Sequence, residues 1–383
     1  MAEKIGKINL LKIKDEIDIL EKELKNTNSN NRKKETILDT LQLYYLLVEN
    51  ITGQKINYEK KFSKYNSNID RLCKKYSNEY RHFVEYIKSN KLILRKMCES
   101  INNIYYDNDL YENDYEISET TVDTILSLVD DIFDSDFTNF FYKEIKDKKI
   151  HFNTSSNPNG IISGYDGITI DIYPNKNYYV IAKDKKTYYY NLFTIIHEIS
   201  HGYINSKYNK NFTYNPLREI FPCLNELIVN DYFFTNNLAV KDCKIQDNYL
   251  IREIINDTNK LYYWTYFINA IDQNLIIDGV KFNKIIEKEK FHEEVSLDSI
   301  TSSIEYFEIL LYSLGRVISI DQYNRYLNNP DRVRYNIDKL LKEDNHISFM
   351  SQLKMLEIDI DELRYGKCFE SFFNNYHKKY VKK

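Results

Sequence analysis

Hydrophobic residues recur at three- and four-residue intervals along most of this chain. The first fifty residues contain two such stripes, separated by the polar segment Thr27–Lys33. The stripes are Ile8, Leu11, Ile17, Leu20 and Leu24, and then Ile37, Leu41, Tyr44 and Leu47. This spacing places apolar side chains on one face of a helix. It predicts an antiparallel helix pair, followed by a long helical stretch from about Tyr58 to Ile104.

An acidic segment without periodicity, Asp107–Thr121, interrupts the helical pattern before another predicted helix near Val122–Phe133. We expect a solvated loop there, because charge runs of this kind lack the apolar face that packing requires. We therefore predict two regions with an approximate boundary between them. The first is an N-terminal helical region, residues 1–110, and the second, residues 111–383, contains the candidate catalytic residues. One continuous domain is the alternative.

The pattern changes to strand-like alternation at Gly164–Asp184, on both sides of a turn at Pro174–Asn177. This combination predicts a β-hairpin. Helical spacing resumes at Tyr188 and continues to the end, with loops near Asn236–Gln246 and Asp278–Phe282. With only 9 glycines and 5 prolines in 383 residues, long unbroken helices are favoured. The predicted fold is mostly α-helical with a small antiparallel sheet.

The charge distribution narrows the range of partners. The 53 basic and 57 acidic residues are scattered and give a net charge of −4, so we expect no nucleic-acid partner. The N-terminal residues mix charge into every turn, and no apolar run is long enough for a membrane span, so a cytoplasmic protein without a membrane partner is predicted. The five cysteines are widely spaced and are predicted to be reduced structural thiols.

Two histidines lie four residues apart in the segment YNLFTIIHEISHGYIN, residues 190–205. Apolar residues at helical spacing run through this segment, so His197 and His201 share one helical face and can reach one metal ion. Glu198 lies one step around the helix, where it can take a proton from a water molecule at the metal. The motif predicts a catalytic Zn²⁺ site; two purely structural histidines are the alternative.

A catalytic zinc site needs a third protein ligand. The segment NPLREIFPCLNELIVNDYF supplies Glu219 and Glu226, seven residues apart. Asn215 and Pro216 are favoured at the start of a helix, and a helix beginning there carries both glutamates on one face. Glu219, in the first turn, is the preferred ligand, and Glu226 would then steady a ligand imidazole. The reverse assignment is the alternative.

Three blocks of the sequence resemble the thimet oligopeptidase and oligoendopeptidase F family of zinc peptidases. The first is the hairpin that leads into the histidine motif, residues 162–203, with Ser200 where the family usually has glycine. The second is REIFPCLNE, similar to the family's E-x-x-S-x-x-N-E, whose leading glutamate is Glu219 here. The third is residues 307–360, which look like the family's C-terminal stretch, with a turn at Tyr312–Gly315. The resemblance runs from about Leu92 to the C-terminus.

The resemblance implies a helical fold around a deep cleft, with Zn²⁺ held by His197, His201 and Glu219. It also implies that a short peptide lies as an added strand along the hairpin, at the edge of Thr169–Tyr173 or Tyr178–Ala182. By this resemblance we expect an N-terminally short member of the family, compared with members that form a closed channel.

One departure from the family concerns the group that stabilises the oxyanion. The family has a histidine and several tyrosines before its C-terminal turn, whereas SITSSIEYFEILLYSLG offers only Tyr306 and Tyr312. We predict Tyr312 as the oxyanion donor. Tyr263, Tyr266 and His292 are the alternatives.

The predicted function is a zinc-dependent endopeptidase or oligopeptidase acting on short peptides, with Glu198 as the general base. The missing histidine motivates one alternative, a zinc-containing peptide-binding protein with weak catalysis. A protease dedicated to one substrate is a further alternative. The sequence leaves the substrate and the oligomeric state open.

Overall fold

The structure, a computed structural model, is predominantly helical. It describes residues 8–27, 31–52, 54, 56, 67–106, 122–153, 167–172, 177–183, 191–208, 218–271, 278–289, 306–343 and 348–380. The described helices before and around the sheet are α1 Leu10–Asn26, α2 Asn31–Thr52, α3 Ser67–Tyr106, α4 Val122–Ile132, α5 Ser135–Lys146 and α6 Asn191–Tyr208. Those that follow are α7 Ile220–Thr235, α8 Val240–Phe267, α9 Gly279–Lys288, α10 Tyr306–Tyr326, α11 Pro330–Lys342, α12 Phe349–Met355, α13 Ile360–Arg364 and α14 Lys367–Tyr380. The strands are β1 Ile150–Asn153, β2 Gly167–Ile172 and β3 Asn177–Lys183.

The chain forms two compact units. The first comprises Met1–Leu72, Asp114–Lys210 and Ile228–Cys243. The second comprises Cys73–Asn113, Asn211–Leu227 and Lys244–Lys383. The boundary predicted between residues 110 and 111 stays a prediction.

The described sheet of the first unit has the strand order β1-β3-β2. β2 and β3 pair antiparallel, from Gly167 opposite Ala182 to Ile172 opposite Asn177, which confirms the hairpin. Its predicted turn falls on residues 173–176, which lie outside the described part. β1 pairs parallel with β3, so the sheet is mixed. We did not predict β1, because four residues are too few to display an alternating pattern.

One face of this sheet packs against the helix pair. Ile170 and Ile172 of β2, with Tyr179 and Ile181 of β3, join the core formed by α1 and α2. The predicted α2 stripe, from Ile37 to Leu47, is buried as expected. The opposite face of the sheet packs against α6, because successive side chains of a strand point to opposite faces.

The predicted α1 stripe is wrong at one position. Leu11 is 74% exposed, whereas Ile13 is buried. Ile13, Ile17 and Leu24 form the buried face of α1, and Leu11 lies two residues before Ile13, about 200° around the helix. An apolar side chain at nearly helical spacing was therefore assigned to the wrong face.

The second unit is built around α10, which packs against α11 and α14. Leu310, Leu314 and Val317 of α10 are fully buried. The predicted loop at Asp278–Phe282 is wrong, because the Asp278 side chain accepts from the backbone N–H groups of Val280 and Lys281 and begins α9.

The other predicted loop, at Asn236–Gln246, is shorter than expected, since α8 begins at Val240. No described helix combines the length and apolar character needed to cross a membrane. The cysteines whose side chains the structure describes, Cys98, Cys223, Cys243 and Cys368, are buried thiols.

Candidate metal centre

α6 brings the two histidines of the H-E-x-x-H motif together. Ile195, Ile196 and Ile199 are buried and fix the helix in the first unit. His197 and His201, one turn apart, have their Nε2 atoms 3.2 Å from each other. Their rings meet edge to face, with centroids 4.9 Å apart. The four-residue spacing of the motif therefore brings two ring nitrogens close together on one face of α6.

Glu198 is fixed from the neighbouring sheet. Thr169 of β2 places its Oγ1 2.8 Å from Glu198 Oε2 and 2.9 Å from the Glu198 carbonyl oxygen. A threonine hydroxyl has one proton, so it donates to one of these acceptors at a time. We predicted Thr169 only as part of a substrate-binding edge, and its contact with Glu198 depends on packing that sequence spacing does not reveal.

Glu219 lies immediately before α7 rather than inside its first turn. The helix begins at Ile220, and the Cys223 N–H donates to the Glu219 carbonyl oxygen at 3.0 Å. The predicted start at Asn215 or Pro216 is therefore wrong for the described helix, and both residues lie outside the described part. Glu219 has the role expected of a residue that caps the helix.

The Glu219 carboxylate is held in a buried environment. Its side chain is 0% exposed, and the Arg218 Nε donates to its Oε1 at 2.8 Å. A Cβ atom at Gly315 of α10 would overlap the Glu219 Cβ. The absence of a side chain at Gly315 therefore allows α10 to approach the backbone and Cβ atom of Glu219.

Two sets of potential ligands occur among the described residues. In the first, His197, His201 and Glu219 offer ligand atoms that all lie within 4.8 Å of one another. In the second, the same condition holds for His197, Cys223 and Glu226. The first set is the one that we predicted, so the chain has a His-His-Glu group that could hold a metal ion.

Glu226, the alternative third ligand, has a partner within the second unit. The Gln246 Nε2 donates to its Oε2 at 2.9 Å. Its predicted role in steadying a ligand imidazole stays a prediction, as does the choice between the two glutamates.

The predicted turn at Tyr312–Gly315 is wrong, because both residues lie within the continuous helix α10. Tyr312 is partly buried, and the guanidinium carbon of Arg316, one turn later, lies 4.7 Å from the centre of its ring. Four residues separate the two along the helix, so the stacking follows from helical geometry. The role of Tyr312 as oxyanion donor stays a prediction; the Tyr306 side chain lies outside the described part.

Tyr266, one of the alternative donors, is engaged elsewhere in the second unit. Its hydroxyl lies 3.2 Å from that of Tyr262, and the Arg95 guanidinium carbon lies 3.6 Å from its ring centre. Burial, with the hydrogen bond to Tyr266, raises the pKa of Tyr262. Tyr263 packs against the Tyr262 ring, and His292 lies outside the described part.

The comparisons with known proteins concern the fold. No protein-family model and no curated protein matches the chain. A 3.1 Å X-ray structure of a protein provisionally assigned as oligoendopeptidase F has a TM-score of 0.50 and 12% identity, over 91% of this chain and 65% of that one. The two chains share one fold. This chain spans about two thirds of that structure's length.

Other solved structures have lower TM-scores. A provisionally assigned oligoendopeptidase F from Bacillus anthracis str. Ames has a TM-score of 0.45 and 12% identity, covering 91% of this chain and 76% of that one. PZ peptidase A, solved with an inhibitor, has 0.46 and 10%, covering 88% and 70%. Identities this low do not establish a shared activity.

The geometry of the donor set fits zinc. Zinc–nitrogen bonds of 2.0–2.1 Å at tetrahedral angles separate two ligand nitrogens by about 3.3 Å. The 3.2 Å between the Nε2 atoms of His197 and His201 matches that separation. Two imidazoles and one carboxylate are also a donor set of catalytic zinc sites, which leave one position open.

Proposed function

We propose that this chain is a zinc-dependent peptidase that hydrolyses bonds within short peptides. The observation that carries the proposal is the grouping of His197, His201 and Glu219, with Glu198 next to the first ligand and held by Thr169. A structural histidine pair needs neither the buried glutamate nor the anchored carboxylate beside it.

In this proposal bound zinc supplies Lewis acidity, which polarises the peptide carbonyl and acidifies water. Glu198 accepts a proton from the attacking water at its carboxylate and later delivers that proton to the leaving nitrogen. The water oxygen becomes bonded to the carbonyl carbon, and the carbon–nitrogen bond breaks. Arg218 keeps the Glu219 carboxylate oriented through its bond to Oε1.

The sheet narrows the proposed position of the peptide to β2. From Val180 to Ala182, β3 is paired on both sides, with β1 and with β2, so most of the alternative edge at Tyr178–Ala182 is already occupied. Within the described residues β2 pairs on one side only. An extended peptide could add to β2 through backbone hydrogen bonds, beside the strand residue that contacts Glu198.

The proposed oxyanion donor is Tyr312, whose ring is stacked by Arg316. The segment Ser299–Gly315 contains no histidine. Removing one donor from an oxyanion site costs about 10²- to 10³-fold in rate. This gives a second candidate, a zinc-containing protein that binds peptides and cleaves them slowly or cleaves one dedicated substrate.

The test is cleavage of a mixed library of short peptides, followed by mass spectrometry. The zinc-loaded protein should cut, the Glu198→Gln variant should bind zinc equally and lose cleavage by at least about 10³-fold, and Glu370→Gln, on an exposed position of α14, should cut normally. Full zinc occupancy without cleavage would favour the peptide-binding candidate. Equal cleavage by Glu198→Gln would contradict the proposed base.

The third ligand is tested by a matched pair of variants, Glu219→Gln and Glu226→Gln. Zinc content after dialysis should fall strongly in the first and stay near one equivalent in the second. The reverse result would make Glu226 the ligand.

A further inference from the structure

The Thr169 hydroxyl contacts Glu198 at hydrogen-bond distance. Its Oγ1 lies between two Glu198 acceptors, Oε2 at 2.8 Å and the carbonyl oxygen at 2.9 Å. The carbonyl lies inside α6, where a helical N–H already serves it. A hydrogen bond to an ionised acceptor is about twice as strong as one to a neutral acceptor. The hydroxyl proton therefore goes to the carboxylate.

The position of Thr169 is fixed by its own strand. It pairs with Val180 of β3 in the middle of the hairpin register. Its neighbour Ile170, together with Ile172, is buried on the opposite face of the sheet, in the core shared with α1 and α2. Alternation then directs Thr169 towards α6. Strand pairing with Val180 and the burial of the neighbouring Ile170 thus hold Thr169 in place, and neither involves Glu198.

We propose that Thr169 is a positioning residue for the reaction, and this inference rests on the proposed peptidase function. Its hydroxyl holds one oxygen of the Glu198 carboxylate, so that the other oxygen handles the proton. A free glutamate side chain loses rotamer entropy when it is fixed in one orientation; here folding restricts it before substrate binds. The same contact ties the base to β2, the strand whose edge would receive the peptide.

The test compares Thr169→Val, which keeps the β-branched shape without the hydroxyl, with Thr169→Ser, which keeps the hydroxyl. Thr40→Val is the control for the same substitution elsewhere in the first unit, since Thr40 is buried in α2 and its hydroxyl donates to the Thr36 backbone carbonyl. Zinc content, kcat and KM are measured on a peptide that the wild-type protein cleaves.

Thr169→Val should lower kcat about 10- to 100-fold, the range expected for a hydrogen bond to a charged group. KM should change less than about threefold and zinc content should stay at the wild-type level. Thr169→Ser should recover most of kcat, and Thr40→Val should leave kcat unchanged. Wild-type kcat in Thr169→Val, or an equal loss in Thr169→Ser, would overturn the inference.

A second readout does not depend on activity. In crystals of the metal-free proteins, the Glu198 carboxylate should occupy one conformer in the wild-type protein and in Thr169→Ser, and several conformers in Thr169→Val. One unchanged conformer in Thr169→Val would overturn the positioning role. If the wild-type protein cleaves no peptide, the proposed function fails instead, while the conformers still decide whether the hydroxyl orients Glu198.

Discussion

The backbone of α10 at Gly315 packs closely against Glu219. Gly315 lies so near that a Cβ atom there would overlap the Glu219 Cβ and approach the Glu219 Cα and carbonyl carbon at 3.3 Å. Moving either residue would disturb its packing, because Glu219 is fully buried and Gly315 lies within α10. The position of this carboxylate therefore depends on a residue that cannot itself bind a metal.

Gly315→Ala should displace Glu219 and weaken zinc binding at least tenfold. Overpacking of this kind also lowers the free energy of unfolding by about 1–3 kcal/mol. Competition with a zinc-sensitive dye measures the first effect and denaturant unfolding the second. The control is Gly279→Ala, because no atom lies within 4 Å of a Cβ atom at Gly279. Wild-type zinc affinity in Gly315→Ala would contradict this view of the contact.

At the scale of elements, α2 and the sheet form the core of the first unit. Leu41 is fully buried in the cluster that joins α1, α2 and the inward residues of the hairpin. One face of the sheet is used for this core, and the other face contacts α6 and places Thr169 against Glu198. One face of these strands therefore packs in the hydrophobic core, and the opposite face carries the contact with Glu198.

Leu41→Ala should lower the free energy of unfolding by about 2–5 kcal/mol, because it leaves a cavity in this core. Leu11→Ala removes the same atoms from an exposed position of α1 and should change stability by less than about 0.5 kcal/mol. Urea unfolding measures both. An equal loss of stability in the two variants would mean that Leu11 is buried, as the sequence spacing predicted.

Local chemistry made some elements predictable. The four-residue spacing of His197 and His201 and the alternation of the hairpin are complete within short segments, so sequence alone located both. Ile13 and Leu11 both fit an approximate helical stripe, and only packing decides which is buried. The start of α7, the helical state of Tyr312–Gly315 and the short strand β1 depend on contacts distant in sequence, and these were missed or wrong.

At the scale of the whole molecule, an ion pair buried in the second unit links stability to pH. Asp257 accepts from the Arg316 guanidinium, with Glu253 nearby. Burial raises the pKa of Asp257 to about 6, with a contribution from Glu253, while Arg316 and Lys260 oppose the rise. The folded protein therefore binds this proton more tightly than the unfolded chain does.

The stability due to Asp257 should be fully present below pH 4 and lost as the pH rises through 6. A rise of the pKa from 3.8 to about 6 corresponds to about 3 kcal/mol. The test is the free energy of unfolding between pH 4 and 7 for the wild-type protein and Asp257→Asn, with exposed Asp361→Asn as the control. The wild-type value should fall relative to Asp257→Asn across this range. A difference that is constant with pH would contradict the shift.

The measurement that tests the central claim most directly is anomalous scattering from crystals of the zinc-loaded protein, collected on both sides of the zinc absorption edge. We predict one peak that appears only above the edge, within about 2.2 Å of the Nε2 atoms of His197 and His201 and of a Glu219 carboxylate oxygen. A peak on Cys223 and Glu226, or no peak in protein that carries its full zinc content, would contradict the proposed centre.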